Sequence, residues 1–133
     1  VLGHKQYAEF AAPYIDKIVR AIDGEVPVIV FAKDAFHCAD LLAKIPCQVV
    51  GLDWKTNPKE ATKMFPGKTL QGNLDPALVL AGSAIALSGA ETVLADNAGH
   101  AGHIFNLGHG VQPDTDPSVL TDIVAYVHEK TKK

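Results

Sequence analysis

His109 stands between two glycines in the stretch IFNLGHGVQPDTDP, residues 104–117. Glycine admits backbone angles that other residues avoid and lets a ligand come close. An imidazole placed there can present a ring N–H to a carboxylate, or move a proton near neutral pH. It can equally be a turn histidine whose ring is satisfied by backbone carbonyls. Three more apolar runs end in polar residues: Lys33 and Asp34 after VPVIVFA, Asp53 and Trp54 after VVGL, and Asn73 and Asp75 after TLQG. Asp53 is placed to anchor an inward arginine or orient a ligand, or simply to cap its own loop. Asp75 reads as a helix cap. Asp114 and Asp116 resemble a carboxylate pair, but Asp116 precedes a proline and also reads as a cap. The candidate ligand-contacting residues are therefore His109, Gly108, Gly110, Asp53 and Asn73, with His109 as the candidate catalytic group.

Other chemistries find less support. His100 and His103 have the i, i+3 spacing that could hold a metal on a helix, but Ala-Gly residues around them favour a loop, and no third ligand is evident. No GxSxG marks a nucleophile elbow, and Ser83, Ser88 and Ser118 fall in helical or capping context. No GxGxxG or GxxxxGK[ST] follows the first strand, which argues against a nucleotide site. Cys38 and Cys47 make no CxxC and read as two reduced, partly buried thiols, with a disulfide or metal role as the alternative.

The elements that must position these residues show in the patterning. Residues 5–22 carry apolar groups at three-four spacing, predicting an amphipathic helix with a kink or late start at Pro13. Strands are predicted over 26–32, 48–54, 68–73 and 103–108. None alternates cleanly, as expected for parallel strands covered on both sides or for a barrel wall. Asn57-Pro58, Asp75-Pro76 and Asp116-Pro117 each place a capping side chain before a proline at the first helical position. Asp34 is expected to cap the first of these helices without a proline. The last helix presents Val119, Leu120, Ile123, Val124 and Val127 on one face. Residues 77–90, ALVLAGSAIALSGA, carry no charge. Either Gly82-Ser83 breaks the stretch into a buried turn and a helix from about Ala84, or an uncharged face meets another protein. A helix followed by four βα units fits a small open α/β sheet or half of a (β/α)8 barrel. In such folds ligands gather at the carboxyl ends of the strands, where the candidate residues lie.

Composition sets outer bounds. The 133 residues are 47% hydrophobic, enough for one compact core. A formal charge of −3 with no basic run argues against nucleic acid. No uninterrupted apolar run reaches the roughly 18 residues of a membrane span, and no secretory signal is read. The lysines at 130, 132 and 133 read as a frayed tail, and the first residue is valine rather than methionine.

VVGLDW (49–54), TLQGNLDP (69–76) and NLGHGVQPDTDP (106–117), with PVIVFAKD (27–34) and FAAPYI (10–15) in the same order, resemble the uroporphyrinogen decarboxylase family. The similarity runs over nearly the whole chain. Related cobalamin-linked methyltransferases share the GN-x-DP element but bind zinc through an HxC pattern; His37 and Cys38 are adjacent here, so zinc is not expected. The resemblance implies a (β/α)8 barrel, usually a homodimer, that needs no cofactor or metal. Such enzymes remove carbon dioxide from four acetate arms of uroporphyrinogen III, giving coproporphyrinogen III for haem and chlorophyll synthesis in the cytoplasm or plastid stroma. In them the protonated pyrrole is its own electron sink, an aspartate holds the pyrrole N–H groups, and arginines bind carboxylates. The histidine of the family's NLGHG lies in the substrate cleft, and His109 occupies that position.

The resemblance covers only the carboxyl-terminal half of the family's barrel. Its cleft arginines, pyrrole-binding aspartate, tyrosine and serine correspond to sequence before Val1. Residues 1–133 are thus expected to form a single partial domain. Two open sheet edges would leave backbone groups unpaired, so the fold calls for a missing amino-terminal half, a second copy, or other protein chains. Two functions follow as expectations: part of a tetrapyrrole decarboxylase, or a non-catalytic half barrel serving a larger assembly.

Overall fold

The computed structural model describes residues 2–22, 24–100 and 102–132. Val1, Ala101 of the loop between His100 and His103, and Lys133 of the basic tail lie outside the described residues. Two helices, α1 (His4–Phe10) and α2 (Ala12–Ile22), lead into β1 (Ile29–Phe31). A 3-10 turn at Phe36–Cys38 opens into α3 (Ala39–Lys44), followed by β2 (Val49–Gly51), α4 (Pro58–Met64) and β3 (Thr69–Gln71). Then come α5 (Pro76–Leu80), α6 (Ser83–Asp96), β4 (His103–Ile104) and α7 (Pro117–Thr131). The strands form one four-stranded sheet in the order β1-β2-β3-β4, every pair parallel. This is an α/β architecture equivalent to half of a (β/α)8 barrel.

The prolines set where helices begin. The Asn57, Asp75 and Asp116 side chains accept from the N–H of Lys59, Ala77 and Ser118 at 2.9, 2.8 and 2.8 Å, with Pro58, Pro76 and Pro117 as the first helical residues. The predicted helix over 5–22 breaks at Ala11, two residues before the proline. Pro13 would clash with the carbonyl four residues back in a continuous helix, so the helix restarts and holds Pro13 in its first turn. Asp34 does not cap the first βα helix. It sits at φ +54°, its N–H and carboxylate are committed to neighbouring loops, and α3 begins five residues later. The uncharged segment divides at Gly82, whose φ of +100° ends α5, and α6 starts at Ser83.

Register sorts the strand side chains into two faces. Val30, Val50 and Leu70 lie in one row and join Val19, Leu42, Ala61 and Phe65 from the helices in a continuous core. A second core gathers Leu74, Val79, Ala86, Ala90, Val119 and Ile123 under α5, α6 and α7. The opposite face carries Ile29, Phe31 and Ile104, which are 46, 48 and 40% exposed. No described helix covers them, and none belongs to either core. The central strand β2 is thus buried on both faces, whereas β1 and β4 leave one face open at Ile29, Phe31 and Ile104.

Candidate functional site

The loops leaving the carboxyl ends of β1 to β4 form a rim built around Asp53. Its Oδ2 accepts from the Asp34 N–H at 2.7 Å, tying the β1 and β2 loops together. Its Oδ1 accepts from the N–H groups of Lys55 and Thr56, both at 3.1 Å, and from the Thr56 hydroxyl at 2.9 Å. Asp53 is buried, and these charge-assisted bonds satisfy a carboxylate that would otherwise be costly to bury. Asn73 extends the web to β3: its Nδ2 donates to the carbonyls of Asp53 and Thr56 at 2.8 and 2.7 Å. Thr56 was not singled out from the sequence, although an aspartate followed three residues later by a threonine is the pattern of such a local side-chain turn.

The β4 loop sits directly on this web. A Cβ on Gly108 would lie 2.3 Å from the Trp54 backbone nitrogen, so only glycine fits against that strand end. Gly110 differs: a Cβ there meets nothing within 4 Å, and its backbone takes no positive φ. The glycine that matters is the first of the pair, and it serves close packing rather than an unusual backbone angle. Held by Gly108, His109 stands exposed on the rim. Its imidazole meets the Trp54 ring edge-on, 5.7 Å between centres at 75°. The ring makes no hydrogen bond to any described residue, so the carbonyl-satisfied turn histidine is not what the structure holds.

The structure thus brings Asp53, Asn73 and Gly108 together beneath the rim and leaves His109 and Gly110 on top of it. Lys33 and Lys55 flank the same indole, their ammonium groups 5.5 and 5.2 Å from its centre. Lys55 also pairs with Asp34 at 2.7 Å, which holds the Asp34 carboxyl below the usual carboxylate range. Beside His109 the uncovered sheet face opens into a cleft of about 540 Å³, with Phe31, Gly51 and Gln71 as its floor.

The other candidate groups are placed elsewhere. His100 and His103 donate from Nε2 to the carbonyls of Lys68 and Gly72 at 2.8 and 2.7 Å, one at each end of β3. Burial holds the His103 imidazole below its ordinary value. Asp116 caps α7, and the Ser118 N–H lowers its carboxyl. Asp114 is exposed and has no partner among the described residues. Cys38 and Cys47 are buried free thiols. Among the described residues no three His, Cys, Asp or Glu side chains gather as metal ligands. No described helix is long and apolar enough to cross a membrane.

Comparison with known proteins gives a consistent picture. The family model described as uroporphyrinogen decarboxylase matches residues 1–130. Uroporphyrinogen decarboxylase of Staphylococcus saprophyticus is 40% identical over 99% of this chain, which spans 39% of that protein. Those of Bacillus velezensis and Nocardia farcinica are 42 and 43% identical over 96% of the chain, covering 36 and 38% of their own lengths. The chain therefore spans somewhat under two fifths of these relatives. A methyltransferase from Methanosarcina mazei shares the fold, with a TM-score of 0.81 at 14% identity, over 99% of this chain and 39% of that one.

Proposed function

The chain belongs to the uroporphyrinogen decarboxylase family, and from that premise we propose that it supplies the carboxyl-terminal half of a tetrapyrrole decarboxylase barrel and that side of its cleft. The proposed reaction removes the four acetate carboxylates of uroporphyrinogen III to give coproporphyrinogen III, without metal or cofactor, in cytoplasm or plastid stroma. The observation that carries this reading is His109. It is held by Gly108 at a strand-end rim, with an unsatisfied imidazole facing solvent beside a cleft on the uncovered sheet face. Placed there, it donates a ring N–H to a substrate carboxylate or moves a proton to the exocyclic acetate methylene, which becomes a methyl group as carbon dioxide leaves. Gly110, where a Cβ would meet nothing within 4 Å, leaves room for close approach of the substrate, while Gly108 seats the loop that presents His109 to it. Asp53 and Asn73 act on it through the loop that they hold.

The uncovered face requires a second half. On this proposal four further βα units cover Ile29, Phe31 and Ile104 and bring the cleft arginines and the pyrrole-binding aspartate. They reside on a longer form of this chain or on another subunit, and the completed barrel pairs as a homodimer. A second copy of residues 1–133 could cover the open face but would not bring those groups, since Arg20 is its only arginine. The same uncovered face also supports a second reading, a non-catalytic half barrel docked into a larger assembly.

The test is coproporphyrinogen formation by the protein as the cell makes it, together with its mass. Product formed by a polypeptide or complex carrying both halves upholds the enzyme reading. A mass near that of this chain, a fixed ratio to a larger complex and no product uphold the docking reading. In the active form, His109→Ala or His109→Asn is expected to lower turnover and let partly decarboxylated porphyrinogens accumulate. Unchanged turnover and product profile would remove His109 from the cleft chemistry.

A further inference from the structure

We infer that Lys33, Trp54 and His109 form a carboxylate-binding subsite on the strand-end rim, with Lys33 as its charged anchor. The choice of a carboxylated pyrrole as ligand rests on the decarboxylase reading; the subsite geometry does not. Three strands deliver the three groups to one indole. β1 delivers Lys33, β2 delivers Trp54 and β4 delivers His109. The indole is the common contact, with the Lys33 ammonium 5.5 Å from its centre and the His109 ring 5.7 Å away.

Charge bookkeeping separates the two lysines on that indole. Lys55 is neutralised by Asp34 at 2.7 Å. Lys33 lies within 4.0 Å of no carboxylate among the described residues. The Lys33 ammonium, the Trp54 indole N–H and the His109 imidazole make no hydrogen bond to any described residue. The first two are donors only, and the imidazole offers at least one more donor. The rim therefore presents surplus donors on the same indole as a lysine that has no carboxylate within 4.0 Å among the described residues. That set suits a planar monoanion with two acceptor oxygens, such as a carboxylate, whose pairing with the ammonium is charge-assisted. The indole face holds the long lysine side chain at the rim, which lowers the ordering cost of capturing the anion. Phe31 lies two residues before Lys33 on β1 and lines the adjoining cleft. An apolar ring seated over Phe31 can thus extend an acid arm toward Lys33.

Trp54 is the only tryptophan in the 133-residue chain, so its emission reports directly on the subsite. The experiment titrates the protein as the cell makes it with porphobilinogen, a pyrrole bearing one acetate and one propionate arm. Its dimethyl ester serves as the uncharged comparison, and Trp54→Phe identifies the Trp54 share of the signal. The expected result is a saturable response to the diacid and a much weaker one to the ester. Lys33→Met is expected to weaken diacid binding about tenfold, as for loss of one charge-assisted contact. Lys33→Arg is expected to restore most of that affinity, and the remote Lys59→Met to change it less than about twofold. No saturable response, equal binding by Lys33→Met, or equal losses in Lys33→Met and Lys59→Met overturns the subsite. Lys33-dependent binding without decarboxylation would remove the decarboxylase reading and keep the subsite. Decarboxylation with binding indifferent to Lys33 would do the reverse.

Discussion

The ends of β2 and β3 and the end of β4 treat their polar residues in opposite ways. At β2 and β3, Asp53, Thr56 and Asn73 are buried; Asp53 and Asn73 bond loop backbone, and the Thr56 hydroxyl donates to the Asp53 carboxylate. At β4, His109 is exposed and touches only an aromatic edge. Polar groups that spend their hydrogen bonds on the protein's own backbone build a scaffold. A polar group that spends none is left to meet a ligand. Gly108 is the joint between the two regions, because its missing side chain lets the β4 loop rest on the scaffold.

Substitutions measure that contrast, beginning with the scaffold. Asp53→Ala unpairs the N–H groups of Asp34 and Lys55 and the Thr56 hydroxyl, while the Thr56 N–H keeps the Asp53 carbonyl. It is expected to cost about 3 kcal/mol in urea unfolding, given about 1–3 kcal/mol for each buried group left unpaired. A loss under about 1 kcal/mol would mean that Asp53 is free to serve a ligand instead. Gly108→Ala drives a methyl group into backbone that cannot yield, and about 3 kcal/mol of destabilisation is expected. If stability holds but carboxylate binding falls, the loop yields more than the lack of space for a Cβ at Gly108 indicates. Asp75→Ala removes a cap at an exposed helix start, for about 1 kcal/mol. His109→Ala is expected to change stability by less than about 0.5 kcal/mol while altering the porphyrinogen product profile. A large loss of stability there would move His109 into the scaffold and erase the contrast.

A pH series adds a check on a histidine of the opposite kind. His103 lies on the helix-covered face, donates to the Gly72 carbonyl and is held below its ordinary value by burial. Its unfolded form therefore binds a proton more readily than its folded form. Stability should rise with pH between the folded value and about 6.5, and fall as pH drops through that window. The midpoint of thermal unfolding is expected to be lower at pH 5.5 than at pH 7.5, and His103→Gln should flatten part of that slope.

Much of this was legible in the chain. The three cap-proline pairs located three helix starts, because a cap and a proline act within four residues of sequence. The glycine break at 82 was readable for the same local reason. Parallel strands followed from apolar runs alternating with helices, and His109 followed from its place after the last run. Asp34 misled, because nothing local says that its carboxylate will meet Lys55 and its N–H will meet Asp53. The continuous apolar strands pointed to a sheet covered on both sides or to a barrel wall; the half barrel agrees with the second, and it leaves Phe31 and Ile104 open. Composition records that a side chain is suited to burial; it does not record which chain buries it.

By itself, then, the sequence determined the order of the elements, their start signals, the family motifs and the position of the candidate histidine. These depend on neighbours a few residues apart. Only the tertiary structure decided that Asp53 and Asn73 knit loops, that Gly108 is glycine for close packing while Gly110 meets no such constraint, and that Lys33, Trp54 and His109 share one indole. Those outcomes join residues 19 to 76 positions apart in the chain, through pairings that parallel strand register creates and local spacing does not encode.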